Sequence, residues 1–264
     1  MSAEPAETFG NFLSLIEWER WLQTLGSIPT TYAITHGDVE GKDAVRRFGH
    51  NEVIGNTWET LYHGSDLYTY LTSAEILKIA STDVDDDGDP VGTGARTLFI
   101  QGLDGNYDIA SETRTLNGNG VVDTVGTYLR VFKIRVETAG TSGTNEGTIT
   151  IKNAAQTVTL ALIPIGEGES HLGLYTVPAD QTIYITNWYG SEITNKGITF
   201  TIFVRPLEKA WTMKRQIQTY QNTFFQPFDF PLKFTEKTDI EIRVVGSTVD
   251  GEATGGFSGW REDN

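Results

Sequence analysis

Cysteine is absent from the 264-residue sequence, and this absence excludes several kinds of chemistry. Without cysteine the chain has no disulfide, no thiolate-ligated zinc or iron–sulfur cluster and no thiol nucleophile. Long apolar runs are also absent. The longest, such as Thr157–Ile165, fall well short of the ~20 residues that a membrane span needs. The sequence therefore predicts no membrane partner, and the polar, acidic segment Met1–Thr8 does not resemble a signal peptide.

Positive charge is scarce. The chain has 20 Lys and Arg against 35 Asp and Glu, which gives a formal net charge of −15. Proteins that bind DNA or RNA neutralise phosphates with clustered Lys and Arg, so this balance predicts no nucleic-acid partner. We interpret the excess of acidic residues as a source of solubility rather than as a binding surface.

The residues that are plentiful favour β-structure. Thr, Val, Ile, Tyr and Phe suit a pleated, half-buried surface, and the 28 glycines supply the conformations of tight turns. We predict an all-β protein, an antiparallel β-sandwich of jelly-roll type with a short N-terminal helix and an extended arm. Residues 1–57 are expected to form the helix and arm, and residues 58–264 the sandwich body, either as one sandwich or as two packed β subdomains.

Individual strands are predicted from the alternation of apolar and polar residues. In Thr238–Val245, for example, three apolar side chains alternate with three charged ones, as expected for a strand with one buried face. No strand is predicted before Glu75, and Ser27–Thr57 is interpreted as an extended connector. No strand is predicted in the glycine-rich tail after Val245 either. The predicted strands are Glu75–Ser81, Thr97–Gly102, Tyr107–Leu116, Tyr128–Thr138, Gly147–Asn153, Thr157–Ile165, Leu172–Val177, Gln181–Tyr189, Ile198–Arg205, Ala210–Tyr220, Thr223–Phe230 and Thr238–Val245.

The densest acidic segment, Asp83–Asp89, imitates the first half of a calcium-binding loop. The twelfth position of such a loop requires a bidentate Glu, and Gly94 stands there instead. We interpret the segment as an exposed acidic hairpin loop, with calcium binding as the alternative.

The four histidines, His36, His50, His63 and His171, are scattered along the chain. None belongs to a His-Glu-x-x-His or His-x-His pattern, so no metal site is predicted. No cofactor site and no catalytic residue is predicted either, and the chain is expected not to be an enzyme. A catalytic pair of carboxylates on different strands, as in glycoside hydrolases, cannot be recognised from residue spacing, so this possibility stays open.

Two groups of apolar residues are candidates for contacts between subunits. The first lies on a helix predicted over Phe12–Leu25, and the second is an aromatic cluster that begins in the strand Thr223–Phe230. For the helix the alternative is docking on its own domain. For the cluster the alternatives are core packing and exposed rings that stack on carbohydrate. The candidate interface residues are Phe12, Leu15, Ile16, Trp18, Trp21, Leu22, Phe224, Phe225, Phe228 and Phe230.

Several segments resemble one known group of proteins. Residues 94–107 read GARTLFIQGLDGNY, and they are followed in order by Ser111–Gly118, Thr138–Asn145, Tyr175–Ala179 and Pro231–Ile240. Over roughly residues 45–245 the chain resembles accessory virion structural proteins of tailed bacteriophages, a group that is frequent among marine phages. The acidic loop and the Trp-containing helix are particular to this sequence and take no role from the resemblance.

The resemblance implies a structural role in a virus particle that forms in the host cytoplasm. We expect a decoration (cement) protein on the head exterior, with the major capsid protein or other virion proteins and further copies of itself, as a homotrimer, for partners. The alternative is a tail-associated receptor- or glycan-binding protein. A polysaccharide depolymerase is a third and weaker hypothesis.

Overall fold

The computed structural model describes residues 30–64 and 66–264 of the chain. Its regular structure is nearly all β-strand, arranged in several antiparallel sheets, which confirms the predicted all-β sandwich class. The jelly-roll connectivity stays a prediction. The helix predicted over Phe12–Leu25 lies outside the described residues.

The described residues contain one short helix, α1 (Thr30–His36), and sixteen strands. The strands are β1 (Lys42–Ile54), β2 (Glu59–Thr60), β3 (Glu75–Ser81), β4 (Ala95–Leu103), β5 (Ile109–Thr115), β6 (Val122–Tyr128), β7 (Arg130–Ala139), β8 (Ile149–Lys152), β9 (Thr159–Ile163), β10 (Leu174–Thr176), β11 (Gln181–Glu192), β12 (Ile198–Arg205), β13 (Thr212–Thr219), β14 (Thr223–Thr235), β15 (Asp239–Gly246) and β16 (Gly251–Asp263).

The chain divides into two units, with the boundary between Ala44 and Val45. The described part of the first unit contains α1 and the first residues of β1. The second unit, Val45–Asn264, contains the sheets and both hydrophobic cores described below.

Two sheets enclose the first core of the second unit. One has the strand order β1-β16-β11-β14, and the other has the order β10-β15-β12-β13 with β2 added beside β15. Alternate side chains of these strands point between the sheets and bury large apolar groups, among them Trp188, Phe200 and Phe257. Burial of this kind stabilises a fold by about 25 cal/mol per Å² of apolar surface.

Two further sheets, with the orders β6-β3-β8-β9 and β5-β4-β7, enclose a second core. It is built from aliphatic side chains at every second strand position, for example Leu77 and Ile79 of β3 and Leu98 and Ile100 of β4, all fully buried. The body thus contains two sandwiches with two apolar clusters, and Tyr107 packs against both clusters.

A buried ion pair joins β7 of one sandwich to β15 of the other. Arg130 Nε lies 3.0 Å from Asp239 Oδ1, and Arg205 Nη2 lies 2.6 Å from Asp239 Oδ2. The guanidinium carbons of Arg130 and Arg205 lie 4.8 and 4.7 Å from the ring centre of Tyr70, so both cations also contact this ring. Because the carboxylate is shared and also accepts a hydrogen bond from Thr176 Oγ1, its buried charge is compensated on both oxygens.

Two long strands lie where the sequence predicts none. Residues 42–54, inside the expected connector Ser27–Thr57, form the 13-residue strand β1. The glycine-rich tail forms β16, an inner strand between β1 and β11. A Cβ at Gly256 would strike the carbonyl of Arg47, and one at Gly259 the carbonyl of Tyr184. These glycines therefore do not form turns. They allow neighbouring backbones to approach closely.

Candidate functional site

Three of the four histidines converge with one carboxylate in the second unit. His50 lies on β1, His63 follows β2, and Glu167 and His171 belong to the loop between β9 and β10. One ligand-type atom of each of the four side chains lies within 4.8 Å of the others. We call these four residues the histidine cluster.

The backbone places His63 opposite His171. Tyr62 and Leu172 form an isolated antiparallel bridge. In an antiparallel pair the residue after one partner faces the residue before the other, so the bridge brings His63 and His171 together.

A close approach of three backbones brings His50 to the same place. At Gly49 a Cβ would lie 2.7 Å from the backbone nitrogen of Gly173 and would strike the carbonyl of Leu61. Only glycine fits there, and the next residue along β1 is His50.

Three polar atoms of the cluster, from His63, Glu167 and His171, are near hydrogen-bond distance from one another. His63 Nε2 lies 3.3 Å from His171 Nδ1 and 3.1 Å from Glu167 Oε2, and His171 Nδ1 lies 3.2 Å from the same oxygen. His50 Nε2 lies 3.2 Å from Glu252 Oε1. The side chain of His63 is 5% exposed and that of His171 is 28% exposed, so the cluster lies at the border between interior and solvent.

Burial sets the charge of the two central imidazoles. It lowers the pKa of His63 below its ordinary value, and His50 and His171 act in the same direction while Glu167 opposes them. Burial also lowers the pKa of His171. Both rings are therefore neutral at pH 7, and each has one nitrogen lone pair that can accept a hydrogen bond or bind a metal ion.

A surface pocket with a volume of about 540 Å³ adjoins the cluster at Glu167 and His171. Its wall carries charges of both signs, since Lys133 Nζ lies 2.7 Å from Glu169 Oε1. Arg47 also lines the pocket, and its guanidinium carbon lies 4.7 Å from the ring centre of Tyr175. The remaining lining residues are Arg46, Phe48, Phe132, Ser170, Leu172 and Tyr189.

The sequence prediction missed this site because its members are distant along the chain. His63 and His171 are 108 positions apart. The one local signal is the i,i+4 pair Glu167 and His171, which is too common to identify a site. His36, the fourth histidine, lies at the end of α1 and pairs with Asp38 at 2.9 Å.

The acidic loop Asp83–Asp89 has a buried anchor. Asp86 is fully buried, contrary to the expectation of an exposed loop. Its Oδ1 accepts from the backbone N–H groups of Ala95 and Glu146 at 2.7 and 2.9 Å. Its Oδ2 accepts from Ser81 Oγ and the N–H of Gly147 at 2.5 and 2.9 Å. Both oxygens of Asp86 thus serve to hold three chain segments together.

The aromatic candidates for an interface point in two directions. Phe224 and Phe228 are half-buried and pack on the first core, where Phe224 lies 4.8 Å from Trp188 between ring centres. Phe225 and Phe230 point outward and are 65% and 87% exposed. The remaining candidates lie outside the described residues; they are Phe12, Leu15, Ile16, Trp18, Trp21 and Leu22.

Comparison with known proteins gives little information about this chain. No family model matches the chain, and no curated protein is similar to it in sequence. One similar solved structure is that of the Gt strain of infectious bursal disease virus, with 10% identity, 89% of this chain and 78% of that chain covered, and a TM-score of 0.21. Another is a mutant VP2 protein of the same virus in derived T=1 particles, with 8% identity, coverages of 84% and 69%, and a TM-score of 0.23. Likeness at this level carries no inference about function. Within residues 30–64 and 66–264, no helix is long and apolar enough to cross a membrane.

Proposed function

We propose that the chain is a non-enzymatic structural protein of a virus particle, and that it assembles with further copies of itself through β14. The observation that carries this proposal is the exposure of Phe225 and Phe230, at 65% and 87% of their surface, on a strand at the end of its sheet. Two exposed phenylalanines on one edge strand offer apolar surface that a partner can cover. The resemblance of residues 45–245 to virion proteins of tailed phages supports the same role.

The surroundings of β14 favour side-chain packing over strand pairing. β13 and β14 are consecutive edge strands of two facing sheets, and Arg215 of β13 lies 5.6 Å from the ring centre of Phe228. Pro227 and Pro231 have no N–H to offer a further strand, and Lys and Arg on β13 also discourage edge pairing. A partner would therefore contact the outward rings of Phe225 and Phe230.

In the finer form of the proposal, the assembly is a homotrimer that decorates the head exterior and contacts the major capsid protein. The apolar candidates near the N-terminus, such as Trp18 and Trp21, are proposed to contribute to the capsid contact. Many identical interfaces, each burying apolar surface, would reinforce a head against internal pressure without any covalent chemistry.

The test of self-association compares the wild-type chain with Phe225→Ser/Phe230→Ser. Loss of about 2 kcal/mol per central aromatic ring predicts a dissociation constant raised about 1000-fold. Sedimentation velocity over a concentration series measures this constant. Val125→Ser is the matched control, because Val125 is 73% exposed on β6. A wild-type chain that stays monomeric, or a double variant that associates as the wild type does, would refute the role of β14.

The test of location is the number of copies in purified particles, measured by quantitative mass spectrometry. A decoration protein is expected in many copies that match the capsomers. A few copies that match a single tail would support the alternative of a receptor- or glycan-binding tail protein. Absence from the particle would refute the virion role altogether.

A further inference from the structure

We propose that the histidine cluster, formed by His50, His63, Glu167 and His171, is a binding site for a divalent transition-metal ion, and that the ion is Zn²⁺. The inference is independent of the proposed virion role, because it stands on the geometry of these four side chains alone.

Three of the four atoms already have the spacing of metal ligands. Zinc binds imidazole nitrogen and carboxylate oxygen at about 2.0–2.2 Å in tetrahedral geometry, so neighbouring ligand atoms lie about 3.3–3.5 Å apart. In the cluster the separations are 3.3 Å between His63 Nε2 and His171 Nδ1, and 3.1 and 3.2 Å from these nitrogens to Glu167 Oε2. The three atoms therefore form one nearly complete face of a ligand tetrahedron.

The carboxylate oxygen at this face lacks the hydrogen bonds that would otherwise explain its position. Glu167 Oε2 is buried from solvent and has no hydrogen-bond partner of acceptable geometry in the described part of the chain, although two imidazole nitrogens lie near it. A buried carboxylate oxygen without a partner is costly, and a cation bound between it and the two nitrogens removes that cost.

His50 completes the set. Its ring centre lies 4.9 Å from that of His63, and its ligand nitrogen lies within 4.8 Å of the other three atoms. A movement of His50 that shortens these distances to about 3.3–3.5 Å would make its nitrogen the fourth ligand. Glu252 Oε1 lies 3.2 Å from His50 Nε2 and so contacts the same ring.

The chemistry of the donors selects the ion. Ca²⁺ and Mg²⁺ prefer oxygen ligands, whereas imidazole suits zinc and its neighbours in the first transition series. Four protein ligands close the coordination shell, which is typical of structural rather than catalytic zinc. Such an ion would tie β1 and the segment after β2 to the loop before β10.

Binding is tested on the full-length, tag-free protein after dialysis against a chelator and then against metal-free buffer. Titration with Zn²⁺ followed by calorimetry is expected to show one equivalent bound. The melting temperature should rise by about 5–10 °C when free Zn²⁺ is about 100 times the dissociation constant. Ca²⁺ and Mg²⁺ at the same concentration should leave the melting temperature unchanged. With Co²⁺ as the probe, the visible spectrum should show the intense bands of tetrahedral coordination.

Variants assign the ligands. His171→Ala and Glu167→Gln, at the more exposed side of the cluster, should each abolish stoichiometric Zn²⁺ binding and the tetrahedral Co²⁺ spectrum. Far-UV circular dichroism checks that the variants are folded. His36→Ala is the matched control, because His36 is the histidine outside the cluster, and it should bind as the wild type does.

Three titration results would overturn the proposal. They are the absence of stoichiometric Zn²⁺ binding by the wild type, equal binding by His171→Ala and the wild type, and a rise in melting temperature with Ca²⁺ that equals the rise with Zn²⁺ and is lost in His171→Ala. The Co²⁺ spectrum of the wild type decides the matter even where a variant fails to fold, since an octahedral spectrum would itself contradict the site.

Discussion

Replacement of Asp86 tests whether the acidic loop is held from inside the protein. The carboxylate has no exposed surface and accepts four hydrogen bonds. Three come from backbone N–H groups, of Ala95, Glu146 and Gly147, and one comes from the hydroxyl of Ser81. The loop, the start of β4 and the segment before β8 thus share one buried acceptor.

The magnitude follows from these partners. In Asp86→Asn one oxygen becomes an NH₂ group that faces the N–H of Gly147, while Ser81 can rotate to accept. The variant loses one hydrogen bond, brings two buried donors into contact and removes the negative charge that strengthens the other bonds. Together these changes should lower the free energy of unfolding by about 3 kcal/mol. In Asp86→Ala all four donors lose their partner, and we expect about 5 kcal/mol after water enters part of the space.

Urea unfolding followed by tryptophan fluorescence measures these losses, and calorimetry should show a melting temperature about 6–12 °C lower for Asp86→Asn. The control is Asp85→Asn, an exposed neighbour in the same loop, which should change stability by less than about 0.5 kcal/mol. If Asp86→Asn stayed within about 1 kcal/mol of the wild type, the buried acceptor would not hold the segments as argued.

Three further substitutions test the cores. Burial raises the pKa of Glu241. The unfolded chain therefore loses this proton at lower pH than the folded chain does. In urea titrations, the stability of the wild type relative to Glu241→Gln should fall as pH rises from about 4 through the raised pKa, by at most about 1.4 kcal/mol per pH unit. A stability difference that does not depend on pH would contradict the assignment. Gly190→Ala should cost about 1–3 kcal/mol, because its Cβ would lie 2.6 Å from the ring of Phe224 and 2.8 Å from that of Phe200; an unchanged urea midpoint would show that the rings move freely. Trp188→Phe removes the donor of a 2.7 Å hydrogen bond to a glutamine on β14 and should cost about 2 kcal/mol by calorimetry, whereas a loss below about 0.5 kcal/mol would mean that the bond adds nothing.

The strands that sequence analysis located well are those with a clear two-residue period. Glu75–Ser81 and Ile198–Arg205 are predicted with the bounds that the structure has, because their alternate apolar residues all enter a core. This signal is local, since each strand presents successive side chains to opposite faces whatever its neighbours are.

The two long strands that were missed lack that signal for physical reasons. β16 contains Gly251, Gly255, Gly256 and Gly259, which carry no side chain to alternate, and their use lies in the approach of other backbones. β1 has a mixed burial pattern along its 13 residues, so that polar and apolar positions do not alternate regularly. Both strands are specified by contacts that the local sequence does not show.

The sequence by itself determined the all-β class, the absence of thiol chemistry and the positions of most strands. These properties depend on composition and on a period of two residues. Only the tertiary structure decided that His50, His63 and His171 meet, that Asp86 is buried inside an acidic loop, and which phenylalanines of β14 face outward. The physical reason is that these features depend on which strands become neighbours, and strand order is set by the packing of the whole chain rather than by any segment of it.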